Sequence, residues 1–386
     1  MFQRFLVPLL IALLAPPAFP SPLIVHEWGT FTSIAGADGR AVEWRPLDGP
    51  SDLPRFVHTL GSAASGLRGD PRNKGNLSGT VRMETPVIYF YTPRAIEVSV
   101  RVGFPAGTIT EWYPMARSVA SGIDWGSLRI LPNVDAALPT EPAASHYYPA
   151  RAVDAATVQA CSPRGDERER FLFYRGVGSF QPPVTATLSQ AGVTLDSPAV
   201  LGELIVFERR GNRSGYRVIQ AGAGTNTFAR PELTPDDGHS RLLRDLEALL
   251  VRRGLYEKEA HAMVETWRNG WFEDGLRILY VLPGKVTEAV LPLTIDPTPA
   301  ARVRVLVGRL ELLTPERLDA VAGELRAIGR ASPAERTKRM AELRRREGRF
   351  AGPLFARLAG DDDPAIRETI HALLIRPLTG QRRGVE

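Results

Sequence analysis

The chain has 386 residues, 44% of them hydrophobic, and 48 Lys and Arg against 43 Asp and Glu give a net charge of +5. That length and apolar content suffice for two or three domains with real cores. The basic side is almost all Arg, with lysine only at Lys74, Lys258, Lys285 and Lys338, and the arginines are scattered rather than gathered on one face, which gives nucleic-acid binding no footing.

Residues 1–20 read as a secretory signal. Arg4 is the basic end and residues 5–15 are the apolar run, too short for a comfortable membrane span. Pro16, Pro17 and Pro20 crowd the cleavage region; cleavage is expected after Ala18, with an uncleaved N-terminal segment as the alternative. The expected location is therefore exported, periplasmic or extracellular. No other stretch is long and apolar enough to cross a bilayer. Cys161 is the single cysteine, so no internal disulfide can form and the fold must stand on core burial. Its neighbours Gln159, Ala160, Ser162 and Pro163 offer no base, which predicts a buried or incidental thiol.

Taken in order, residues 25–34 (VHEWGTFTSI) are rich in β-formers, and the turn chemistry at Ala37-Asp38-Gly39 predicts a hairpin with residues 41–44. Residues 47–80 read as a long loop. Residues 87–91, 96–102 and 108–113 read as a three-stranded meander. In its middle strand Ile96, Val98, Val100 and Val102 point one way and Glu97, Ser99 and Arg101 the other. Further strands are expected at 128–131, 170–175 and 184–188, and a hairpin pairs 203–208 with 215–220. So many short strands with turn signals between them predict a sandwich.

At Thr234-Pro235 the period changes, which predicts a helix start. Leu242, Leu243, Leu246, Leu249 and Leu250 form one stripe ended by Gly254, and Ala260, Met263, Val264 and Trp267 form another ended at Gly270. Strands follow at 277–282 and 302–313, expected to form a small sheet under the helix pair, as a separate layer or as an edge extension of the sandwich. From Thr314 the chain is helical, with Thr314-Pro315, Ser332-Pro333 and Asp363-Pro364 each placing a capping residue before Pro at the first helical position. The fold class is α+β. The expected organisation is a signal peptide over 1–20, a β-sandwich-like domain over 21–230, a helix pair plus strands packed on the sheet over 231–313, and a helical C-terminal region over 314–386.

His26-Glu27-Trp28 places a base, a carboxylate and an aromatic together, yet in a strand His26 and Glu27 face opposite sides. A helical zinc motif needs a second His at position 30, which is Thr. No two histidines lie within five positions of each other, so the sequence holds no compact metal-ligand pair, a site assembled from distant residues being the alternative. Neither a metal nor a cofactor is expected. Glu111-Trp112-Tyr113 and residues 267–274 (WRNGWFED) set rings beside carboxylates, which suits a glycan: Trp28, Trp112, Tyr113 and Trp271 are candidate ligand-stacking residues. His26, Glu27, Glu84, Glu111 and Asp274 are the candidate acid and base residues. Against each stands the plainer reading, a satisfied His or a core Trp. There is no Gly-x-Ser-x-Gly elbow or phosphate-binding glycine loop.

Residues 26–32 (HEWGTFT) and 84–91 (ETPVIYFY) resemble a family of exported bacterial proteins with no assigned activity. The resemblance continues in 171–178 (FLFYRGVG), 254–267 (GLYEKEAHAMVETW) and 304–315, and brings no catalytic residue with it. More distantly, the expected meander resembles a β-sandwich module of other secreted bacterial proteins. The functional expectation is a non-catalytic envelope protein that binds or scaffolds a protein or polysaccharide partner. The alternative is a hydrolase acting on glycan or peptide.

Overall fold

The computed structural model describes residues 22–47, 53–60, 77–162, 165–236 and 238–375, with side chains to 371. The expected signal segment, its cleavage position and the tail beyond 375 lie outside the described residues, as does much of the loop over 47–80.

The first third of the chain forms β1 (Ile24–Ala35), β2 (His58–Thr59), β3 (Val81–Tyr91), β4 (Ile96–Gly103), β5 (Gly107–Tyr113), β6 (Ser118–Ala120) and β7 (Gly122–Leu131). Next come β8 (Thr157–Ala160), β9 (Glu167–Glu169), β10 (Leu172–Gly178), β11 (Thr185–Ser189) and β12 (Gly192–Ser197). The hairpin of β13 (Gly202–Arg210) and β14 (Arg213–Ala221), β15 (Gly224–Phe228) and β16 (Thr234–Pro235) lead to helices α1 (Ser240–Arg252) and α2 (Glu257–Trp271). Then follow β17 (Gly275–Val281), α3 (Gly284–Val290), β18 (Leu293–Asp296) and β19 (Ala301–Leu312). The chain ends in α4 (Pro315–Gly329), α5 (Pro333–Glu347), α6 (Ala351–Leu358) and α7 (Pro364–Ile375).

One ten-stranded sheet organises everything, in the order β16-β14-β13-β17-β19-β1-β3-β10-β5-β2. All its pairs are antiparallel except β1 with β19. On one face it packs against a six-stranded sheet (β18-β4-β7-β8-β9, with β6 beside β7) and a three-stranded one (β11-β12-β15), sealing a sandwich core. On the other face α1 and α2 cover a second core with Trp28, Val87, Phe173 and Val307. The helices α4–α7 close a third core over Ile34 and Trp44. The fold is α+β with a sandwich-like N-terminal part and a helical C-terminal region.

Four expectations are corrected. The meander is not one sheet: β3 and β5 belong to the ten-stranded sheet, with β10 between them, and β4 crosses to the facing sheet. Alternation fixes the buried face of β4, and Val98, Val100 and Val102 do point inward while Glu97, Ser99 and Arg101 are exposed; it does not name the neighbour. β1 makes no full hairpin, only an isolated bridge from Ala35 to Ala41, because β3 and β19 take both its edges. β17 and β19 sit at the centre of the sheet rather than at its edge, so residues 231–313 supply strands that the sandwich cannot lack. Thr234-Pro235 starts no helix; it is the short edge strand β16, and α1 begins at Ser240 after His239.

Helices do start at Pro315, Pro333 and Pro364, but only two of the three preceding residues cap with their side chains, Ser332 making no such bond. Thr314 Oγ1 accepts from the Arg317 N–H at 3.3 Å, and Asp363 Oδ1 accepts from the Ala365 N–H at 2.9 Å. Cys161, read as buried or incidental, is free and exposed.

Candidate functional site

β1, β3, β10 and β5 are neighbours, and their registers shift at one level: between Trp28 and Thr30, between Phe173 and Gly176, and between Arg175 and Gly176. A line of bulges across four strands bends the sheet and re-aims side chains. Gly29 is required there, since a Cβ would lie 2.8 Å from the Pro86 Cα. Thr85 holds φ +46°, a left-handed conformation that a β-branched residue adopts only under strain, and Arg175 Nε donates to its Oγ1 at 3.3 Å.

The bend directs Glu84, which pairs with Thr30 in register, to the helix-covered side. Its carboxylate is 2% exposed and meets Arg82 at 3.6 Å and Arg349 at 3.4 Å. Burial pushes the carboxyl up, but the guanidiniums of Arg82, Arg349, Arg309 and Arg175 outweigh it and hold the group below the ordinary carboxylate range. Arg309, fully buried on β19, donates to Glu311 and, at 2.6 Å, to Glu273. Arg349, on the turn after α5, grips the same Glu273 oxygen. Arg277 donates from Nε to Glu311 at 3.0 Å, and its η nitrogens reach the carbonyls of Trp271, Glu273 and Asp274, so it caps the end of α2. This belt of ions fills the seam between α2 and the C-terminal helices.

A cleft of about 300 Å³ opens beside the seam, lined in part by Arg209, Asp236, Arg268, Asn269, Phe272 and Glu273. Arg209 is committed to Asp236 at 3.2 Å and to the carbonyls of Gly211 and Phe272. Burial raises the Glu273 carboxyl, yet Arg349, Arg309 and Arg277 bring it down to about 2. Glu273 is half-buried, and its Oε2 has no hydrogen-bond partner among the described residues.

His26 and Glu27 face opposite sides, as the strand geometry requires. His26 Nδ1 donates to Glu259 Oε2 at 2.8 Å, Tyr91 Oη donates to Glu259 Oε1 at 2.7 Å, and the Tyr256 ring lies 4.4 Å from the imidazole. The Tyr256 N–H also donates to Glu259, closing the start of α2. Glu27 points into the sandwich, accepting from Tyr174 Oη and from Arg304 Nε.

The remaining candidates do not converge. Glu111 is buried two strands from Glu84, opposite Arg175 in register, and accepts from Thr110 Oγ1. Asp274 is on the surface, its carboxylate accepting from the Gly211 N–H at 3.3 Å. Trp28, Trp112, Tyr113 and Trp271, nominated for stacking, are at most 4% exposed and belong to the cores, so none offers a ring face to a ligand. Among the described residues no group of three or more His, Cys, Asp or Glu could hold a metal ion, and no helix is long and apolar enough to cross a membrane. Sequence reasoning missed Glu259, Glu273, Arg277, Arg309 and Arg349, whose partners are mostly remote in the chain. The one legible signal was Glu259, three residues after Tyr256 at a helix start.

No family model matches the chain, and no curated protein does. Among solved structures, the Fcho1 Mu homology domain of Danio rerio with bound Eps15 peptide is similar over 77% of this chain and 98% of that one, at 10% identity and a TM-score of 0.28. A likeness that slight carries no argument about fold or function.

Proposed function

We propose that this chain is an exported envelope protein that holds a protein or polysaccharide partner without turning it over. One observation carries the reading: Glu84 and Glu273, two of the carboxylates of the seam, are gripped by arginines and held ionised. A glycan hydrolase needs one carboxylic acid kept protonated near neutral pH, and arginine pairs push the other way. Export rests on the sequence of residues 1–20. Membership of the exported family that the motifs resemble is part of the same proposal. HEWGTFT, ETPVIYFY and FLFYRGVG fall on the adjacent strands β1, β3 and β10 and meet at their bulges, which supports a common structural purpose.

The hydrolase alternative has one observation in its favour, the His26–Glu259 pair, in which a carboxylate orients an imidazole. The test is to screen the purified mature protein for thermal stabilisation by oligosaccharides and peptides while assaying the same mixtures for cleavage. Stabilisation without products is the expected result. Cleavage that disappears in His26→Ala would overturn the reading in favour of the alternative.

A further inference from the structure

The cleft beside α2 has a hydrogen-bonding surface of unusual balance. Two guanidiniums, Arg209 and Arg268, face two carboxylates, Asp236 and Glu273, and the His239 imidazole lies between Phe272 and Asp236. With that ring neutral the lining attracts neither an anion nor a cation on charge alone. Arg209 and Asp236 are spent on each other and on nearby backbone groups. On the rim, Glu273, Asn269 and Arg268 keep bonding capacity. Glu273 Oε2 is an acceptor whose carboxylate is fixed in place by Arg309 and Arg349 through the other oxygen. The Asn269 amide, which has no side-chain partner among the described residues, both donates and accepts. Arg268 is about half exposed and bonded only to Glu265, leaving donors on its outer edge.

We infer that this cleft takes one ring of a neutral sugar, a hydroxyl donating to Glu273 Oε2 and its neighbours bonding to Asn269 and Arg268. Vicinal hydroxyls are the ligand groups that donate and accept at once, which is what a rim of mixed donors and acceptors matches. Phe272 and Leu243 floor the cleft but are buried in the core beneath α1 and α2, so the recognition rests on the polar rim. An ammonium group fits worse, because at Glu273 it would sit beside the two arginines that already balance that carboxylate. The volume is at the small end of the range for small-molecule sites, which suits one ring and not a long chain. The inference deepens the binding-protein reading by naming the polysaccharide branch of it, and it rests on that reading only in taking the sugar to be held rather than cleaved.

The test is saturation-transfer NMR and calorimetry on the whole mature protein with glucose, mannose and N-acetylglucosamine, and with glucosamine and glucuronate as charged controls. At least one neutral sugar should bind. The double variant Arg268→Ala/Asn269→Ala, which alters exposed side chains alone, should weaken that sugar about tenfold with an unchanged Tm. Glu273→Gln should weaken it as well. The inference is overturned if no neutral sugar binds, if only the charged sugars do, or if the double variant binds as tightly as the parent. Its failure leaves a binding protein with another site, whereas cleavage of an oligosaccharide bound in the cleft would sink the binding-protein reading and leave the cleft assignment in place.

Discussion

Arg349 and Glu84 stand 265 positions apart in the chain and meet at 3.4 Å, with the same guanidinium also holding Glu273. The contact fastens the turn after α5 to the bulged part of β3. Arg349→Ala should cost about 1–3 kcal/mol, less than breaking an isolated buried pair because Arg82 and Arg309 stay behind. Hydrogen exchange should accelerate first across α4–α7. Unchanged exchange there would show that the helices are held by their apolar core alone.

Acid should loosen the same seam. Glu84 and Glu273 have folded pKa values below their unfolded ones, so the stability they contribute is complete above the unfolded carboxylate value and is lost as pH falls from about 4.5 towards about 2. Urea midpoints should therefore drop through that window. Glu273→Gln should flatten the acid-side slope, and an identical slope in the variant would contradict the assignment.

Gly29→Ala should destabilise by about 1–3 kcal/mol, since the added methyl meets the Pro86 backbone rather than a movable side chain. A thermal melt decides it. A variant as stable as the parent would mean that the bulge can open without cost.

The His26–Glu259 pair is readable by a double-mutant cycle. His26→Ala leaves a buried carboxylate with one donor fewer and should cost about 2 kcal/mol, whereas adding Glu259→Gln should recover part of that loss. Purely additive effects would dissolve the pair.

Cys161 should react with an aromatic disulfide reagent in the native protein, at a rate independent of denaturant at low concentration. A reaction that waits for unfolding would place the thiol inside.

The parts of the fold that were legible share a cause. The β4 alternation, the β13–β14 hairpin and the Pro-start helices are set by contacts within a few residues, so the local pattern carries them. Glu84 was singled out as a chemical candidate, but its arginine collar was not, because Arg309 and Arg349 come from strands and turns hundreds of residues away. The ring-beside-carboxylate signal at Trp112 and Trp271 misled for a related reason. A Trp on a strand or helix reads the same whether a ligand or a second layer of protein covers it, and here a second layer does.

By itself the sequence determined which segments extend, which coil and which side of each is greasy, because those properties depend on side-chain period and on backbone preferences at single positions. Only the tertiary structure decided that β17 and β19 lie at the sheet centre, that His26 finds Glu259, and that the seam carboxylates are clamped. A strand's period fixes its faces and leaves its neighbours open. An ion buried on a central strand must find its counter-charge wherever the chain happens to return.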